Sequence, residues 1–114
     1  MQWRQVNGLI EQHRDAIHGL CRTYGVRRLD LFGSAASGAF DPATSDLDFV
    51  ATFADTRSPG YADRFLGFAE ALEALFGRSV DIITERSIRN PYFRQAVEAT
   101  RHPVFDERNA PAAA

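Results

Sequence analysis

The residues best suited to chemistry in this chain are two acids one residue apart, Asp46 and Asp48, in the run Ser45-Asp46-Leu47-Asp48-Phe49-Val50. Apolar residues alternate with them at Leu47, Phe49, Ala51 and Phe53, which predicts a strand from Asp46 to Phe53 with one face in the core. Asp46 and Asp48 then share the other face, their Cα atoms about 7 Å apart. Carboxylates so placed repel each other, and a shared divalent cation would offset the repulsion. Just upstream, Leu29-Asp30-Leu31-Phe32-Gly33-Ser34 reads as a strand, Val26 to Phe32, that ends in a glycine-serine turn. A helix opening at Ser34 would present free backbone N–H groups, which suit a phosphate. A phosphate cradle beside paired acids is the outline of a phosphoryl-transfer centre. A third acid, Asp81, stands inside the apolar run Ser79 to Thr84. It reads either as an edge-strand charge or salt-bridge partner, or as a third metal ligand. The company of two other acids, and the rule that buried charges need partners, favour the ligand.

The elements that must position these residues follow from periodicity. Trp3, Val6, Ile10, Ile17, Leu20 and Cys21 fall on one helical stripe that Gly25 would close. Trp3 and Cys21 read as core residues. His13 and His18 are five apart and share no helix face well, so they read as surface histidines rather than metal ligands. Gly38 to Thr44 is a turn-rich loop. After the second strand, Ser58 and Pro59 predict a helix start, and Tyr61, Phe65, Phe68, Leu72 and Leu75 form its apolar stripe up to Gly77. Ser79 to Thr84 is the third strand, with Val80 and Ile82 on one face and Asp81 and Ile83 on the other. Asn90-Pro91 opens a last helix with Phe93, Ala96 and Val97 inward. His102 to Phe105 is a short edge strand, where Pro103 is tolerated. The result is an α/β (α+β) domain: a small mixed β-sheet packed with helices.

Length and composition narrow the rest. With 114 residues and nine phenylalanines, residues 1–108 form a single domain with a sizeable core, and 109–114, ending Pro-Ala-Ala-Ala, form a loose tail. A net charge of −2 argues against strong nucleic-acid binding, which needs a basic surface. One cysteine excludes an internal disulfide, and no run approaches the roughly 20 apolar residues of a membrane span. The N-terminus lacks an apolar signal segment, so the expected compartment is the cytoplasm.

Gly33-Ser34, then Asp46-x-Asp48, then a later strand acid, Asp81, resembles the nucleotidyltransferase superfamily that includes DNA polymerase beta. The small size is similar to its minimal nucleotidyltransferases, often found as antitoxins beside HEPN-domain toxins. The resemblance runs from about Val26 to Phe105 and implies the polymerase beta palm-like fold. It implies that Asp46, Asp48 and Asp81 are the catalytic, metal-holding acids, with two Mg²⁺ ions for which Mn²⁺ would substitute. It implies that Gly33 and Ser34 bind the nucleotide. The activity expected is transfer of a nucleoside monophosphate, AMP from ATP, to a protein hydroxyl, a tyrosine of a cognate HEPN toxin. The partners implied are thus a nucleoside triphosphate and that toxin, in a homo- or hetero-oligomer. Two alternatives stand beside it: an antitoxin with a weakened site that neutralises by binding, and a small-molecule (antibiotic) nucleotidyltransferase. The sequence departs from the family pattern at Ser37, where many minimal members have a basic residue, and in a Ser34-to-Asp46 spacing one residue longer than usual. Arg86, Arg89 and Arg94 could make up the missing positive charge or simply be solvated.

Overall fold

The computed structural model describes residues 3–33 and 47–108, with side chains from Gly8 onward. Ser34, Ser37, the loop to Thr44, Asp46, the tail from Asn109, and the side chains of Trp3 and Val6 lie outside the described residues.

The chain opens with two helices, α1 (Trp3–Gln12) and α2 (Arg14–Tyr24), rather than the single one the stripe predicts. The break falls at His13, whose N–H closes back on the Ile10 carbonyl at 3.1 Å while its own carbonyl accepts from Ile17. His13 is not a plain surface residue: its ring packs edge-on against Phe76 with centroids 5.4 Å apart, and His18 does the same against Phe105 at 5.1 Å. Gly25 ends α2 in the left-handed region, at φ +73°.

Four strands follow: β1 (Val26–Phe32), β2 (Leu47–Phe53), β3 (Val80–Thr84) and β4 (His102–Asp106), in the order β3-β2-β1-β4. β1 pairs antiparallel with β2 and β4, and β2 pairs parallel with β3. A parallel pair needs a crossover. Helix α3 (Tyr61–Phe76) provides it. Helix α4 (Pro91–Thr100) joins β3 to β4, which is the expected edge strand.

Strand alternation sorts the residues by face, as read from the sequence. Leu29 and Leu31 of β1, Leu47, Phe49, Ala51 and Phe53 of β2, and Val80 of β3 are buried in one core with Ile17, Cys21, Phe68, Leu72 and Phe76 from the helices. Burial pushes the Cys21 thiol up to about 12, so it packs as an inert apolar group. On the other face, Phe32 and Val50 form a smaller cluster with Val97 of α4 and Ile88.

Two helix expectations need correction. Helix α3 starts at Tyr61 behind Gly60, at φ +92°, because the Ser58 hydroxyl donates to the Asp55 carbonyl at 2.8 Å and so stays within the turn instead of capping the helix. Asn90 does cap α4, its Oδ1 accepting from the Tyr92 and Phe93 amides. Of its predicted inward residues, however, only Val97 is buried; Ala96 and Phe93 are exposed. The face of α4 toward the sheet is shared with charged residues, and Phe93 meets Phe32 edge-on while staying exposed.

Candidate active site

The site-bearing residues meet where three strand ends converge. β1 finishes at Phe32, whose register partner on β2 is Asp48, and Asp48 in turn is the partner of Asp81 on β3. Partners on adjacent strands have Cα atoms about 4.8 Å apart. Both acids are second residues of parallel strands, so their side chains leave the same face in the same direction. Gly33, directly after β1, completes the corner. Its φ is +77°, and a Cβ built there would lie 2.8 Å from Asp48 Oδ2. A side chain at this position would therefore displace the Asp48 carboxylate as well as strain the backbone. The Gly33 amide donates to Thr100 Oγ1 at 3.0 Å, and that hydroxyl donates to the Ala96 carbonyl at 3.1 Å. The end of α4 thus pins the turn after β1.

Asp48 is half-buried and Asp81 is exposed. The expectation that Asp81 is a buried charge in need of a partner is thereby corrected: an edge strand leaves it in solvent, and its claim to a role rests on its register with Asp48. Asp46 and Ser34, the remaining expected site residues, lie outside the described ones. Among the described residues no third acid, histidine or cysteine joins the pair as a metal cluster. The donor set fits a hard divalent cation all the same: it is all carboxylate oxygen, on adjacent strands, with room made by the missing Gly33 side chain.

Sequence reasoning missed the buried acid of this face, Asp30, which is fully buried. It lies one pleat behind the site, paired in register with Val50. Arg101 donates to its Oδ2 from Nε at 2.8 Å and Nη2 at 2.7 Å, and Arg28 meets the same oxygen at 3.0 Å. Arg101 also spans to Glu85, 2.8 Å away, which Arg94 holds from its other side at 3.1 Å. The Arg101 hydrogen bond, aided by Arg94, holds the Glu85 carboxyl down at about 2, and the same contact raises the Arg101 guanidinium above its ordinary value. Asp30 sits in an apolar strand on the same face as Asp48, and that pattern was the available signal. Thr100 offered none, since 67 residues separate it from Gly33. Arg94 is engaged by Glu85 and Glu98, while Arg86 and Arg89 lie beyond the C-terminal end of β3, away from the acids.

Comparison with known proteins agrees with this geometry. The profile of the nucleotidyltransferase domain matches residues 13–102. A Methanocaldococcus jannaschii protein, predicted to be a protein adenylyltransferase, is 31% identical over 94 residues, 82% of this chain and 89% of its own length. The solved structure of a predicted minimal nucleotidyltransferase superposes with a TM-score of 0.66 at 31% identity, over 90% of this chain and 96% of the other. A chain from the complex of the tri-AMPylated Shewanella oneidensis HEPN toxin with an MNT antitoxin shares the fold, with a TM-score of 0.59 at 20% identity, over 87% and 74% of the two chains.

Proposed function

This chain belongs to the nucleotidyltransferase domain family, and on that premise we propose that it transfers AMP from ATP to a tyrosine hydroxyl of a HEPN-type toxin and so acts as the antitoxin. The observation that carries the reading is the register that sets Asp48 against Asp81 beside Gly33. The choice of a protein acceptor draws on the predicted adenylyltransferase relative and on the AMPylated toxin in the structural neighbour.

Asp48 and Asp81, together with Asp46, would hold Mg²⁺ or Mn²⁺. Such ions, when bound, neutralise charge on the triphosphate and ease deprotonation of the attacking hydroxyl. The chain's own residues do the rest. Ser34, the next residue in the chain after Gly33, binds the terminal phosphates, and Gly33 leaves the space in which the Asp48 carboxylate stands. Thr100 holds that turn in place through the Gly33 amide. Asp81, on the solvent side, takes the proton of the incoming hydroxyl. The acceptor oxygen bonds to the α-phosphorus as the bond to pyrophosphate breaks, and positioning with charge neutralisation supplies most of the rate.

The test mixes the protein with its partner toxin, ATP and Mg²⁺ and reads the intact mass of the toxin beside a growth-rescue assay. The parent protein adds adenylyl mass and rescues growth; Asp81→Asn still binds but adds none and no longer rescues. No mass gain with the parent, together with full rescue by Asp81→Asn, would replace catalysis with neutralisation by binding. Mg²⁺ should also raise the melting temperature of the parent and not of Asp48→Asn, because a ligand of the folded state stabilises it.

A further inference from the structure

The opposite end of the sheet from the acids holds a cavity of about 430 Å³, where the C-terminal ends of β2 and β3 meet the start of α3. Three exposed arginines line it, Arg57, Arg86 and Arg89, beside the hydroxyl-bearing residues Thr52, Thr56 and Tyr61. Its one carboxylate, Glu85, is already engaged by Arg94 and Arg101 on the far side. Among the described residues Arg57 and Arg89 have no acidic partner, and Arg86 reaches only the Thr56 hydroxyl, at 3.5 Å.

A neighbouring hollow shows what an ordinary surface does with the same residue type. It shares Thr52 and is lined by Arg27, Arg28 and Arg108. There each arginine has its acid: Glu107 at 3.4 Å, Asp30 at 3.0 Å and Asp106 at 2.8 Å. Three like charges around one hollow, whose single carboxylate is engaged elsewhere, repel one another, in a protein whose net charge is −2. An anion seated among them would reverse that cost.

We infer that this cavity binds the phosphate group of a small molecule, at a site separate from the acids. Arginine forks match phosphate oxygens two at a time, and hydroxyl groups supply further donors. The volume lies within the range of small-ligand sites. The Tyr61 ring, edge-on to Phe53 and with the Arg64 guanidinium over it at 5.7 Å, has one face left for the organic part of a mononucleotide. Free phosphate, pyrophosphate and a nucleoside monophosphate share the recognised group.

Calorimetry at fixed ionic strength tests it, on the full chain stripped of metal over a chelating resin, with inorganic phosphate, pyrophosphate and AMP as probes. Without metal the acids repel phosphate, and the arginine variants separate binding in the cavity from binding beside Gly33. At least one probe binds the parent, and the double variant Arg57→Gln/Arg89→Gln weakens it about tenfold or more, a change of about 1.4 kcal/mol. AMP binding more tightly than phosphate, with the excess lost in Tyr61→Leu, assigns a nucleotide; equal affinities assign the bare anion. Circular dichroism checks that the double variant is folded, and Arg89→Lys, which keeps the charge but not the fork, gives an intermediate affinity. Failure of all three probes to bind overturns the inference, as does unchanged affinity in the double variant. The transfer assay is independent of these readings, so either proposal can fail alone.

Discussion

On one face of the sheet, Leu29, Leu31, Leu47 and Phe49 are wholly buried beneath α2 and α3. On the other, the positions between and beside them hold Asp30, Phe32, Asp48 and Val50, and α4 covers them only in part. The same strands build both faces, since successive side chains alternate. The first face is apolar at these positions and is held by burial. The second mixes a small apolar cluster with a chain of charge, Asp30–Arg101–Glu85–Arg94, and opens at its end onto Asp48 and Asp81. Both faces thus contribute buried contacts, but only the second, the candidate chemical face, combines them with the charged chain and the candidate acids.

The division can be tested from each side. Phe49→Ala removes a fully buried ring and should cost about 3–5 kcal/mol by denaturant unfolding, while the Mg²⁺-dependent rise in melting temperature persists in the folded protein. Arg101→Met probes the point where the division blurs, for it lies on the chemical face yet leaves Asp30 buried. Breaking a buried pair costs about 3–5 kcal/mol; because Arg28 still reaches Asp30, about 3 kcal/mol is expected. A negligible loss would mean that the network is ornamental and that Val97, Thr100 and Phe93 suffice to dock α4. Gly33→Ala should be the converse of Phe49→Ala. The left-handed backbone costs about 1–2 kcal/mol. The new Cβ, 2.8 Å from Asp48 Oδ2, should also abolish the thermal response to Mg²⁺.

The smallest effect expected is on pH dependence. Glu85 holds its charge more tightly folded than unfolded, its carboxyl lying near 2 against an ordinary 4.5. Its contribution is therefore complete above about pH 4.5 and is lost as the pH falls toward 2. Melting curves of the parent and Glu85→Gln should differ at neutral pH and converge across that window. Parallel curves throughout would show that Arg101 is held by Asp30 without help from Glu85.

Most of the fold was legible before any coordinates. The bounds of β1, the parity of β2, the faces of β3, the Asn90 cap and the edge position of β4 all follow from local spacing and turn chemistry, which act over a few residues. The two acids Asp48 and Asp81 were legible for a related reason, as charges set in apolar alternation. The same rule should have flagged Asp30, and it was misapplied to Asp81. Alternation reveals which face a residue takes, but burial of that face depends on what covers it. Asp30 is buried because Arg101 arrives from 71 residues away to neutralise it, and Asp81 is exposed because β3 lies at the edge.

The break at His13 and the late start of α3 come from local hydrogen bonds that periodicity does not register, and the outward turn of Phe93 from what covers α4. By itself, then, the sequence determined the strands, their faces and the candidate acids, since these are properties of a short stretch of chain. Only the tertiary structure decided which acid is buried, which hydroxyl holds the Gly33 turn, and which arginines are left without a counter-charge. Each of these is a contact between segments far apart in the chain, and its energy exists only once the sheet has brought them together.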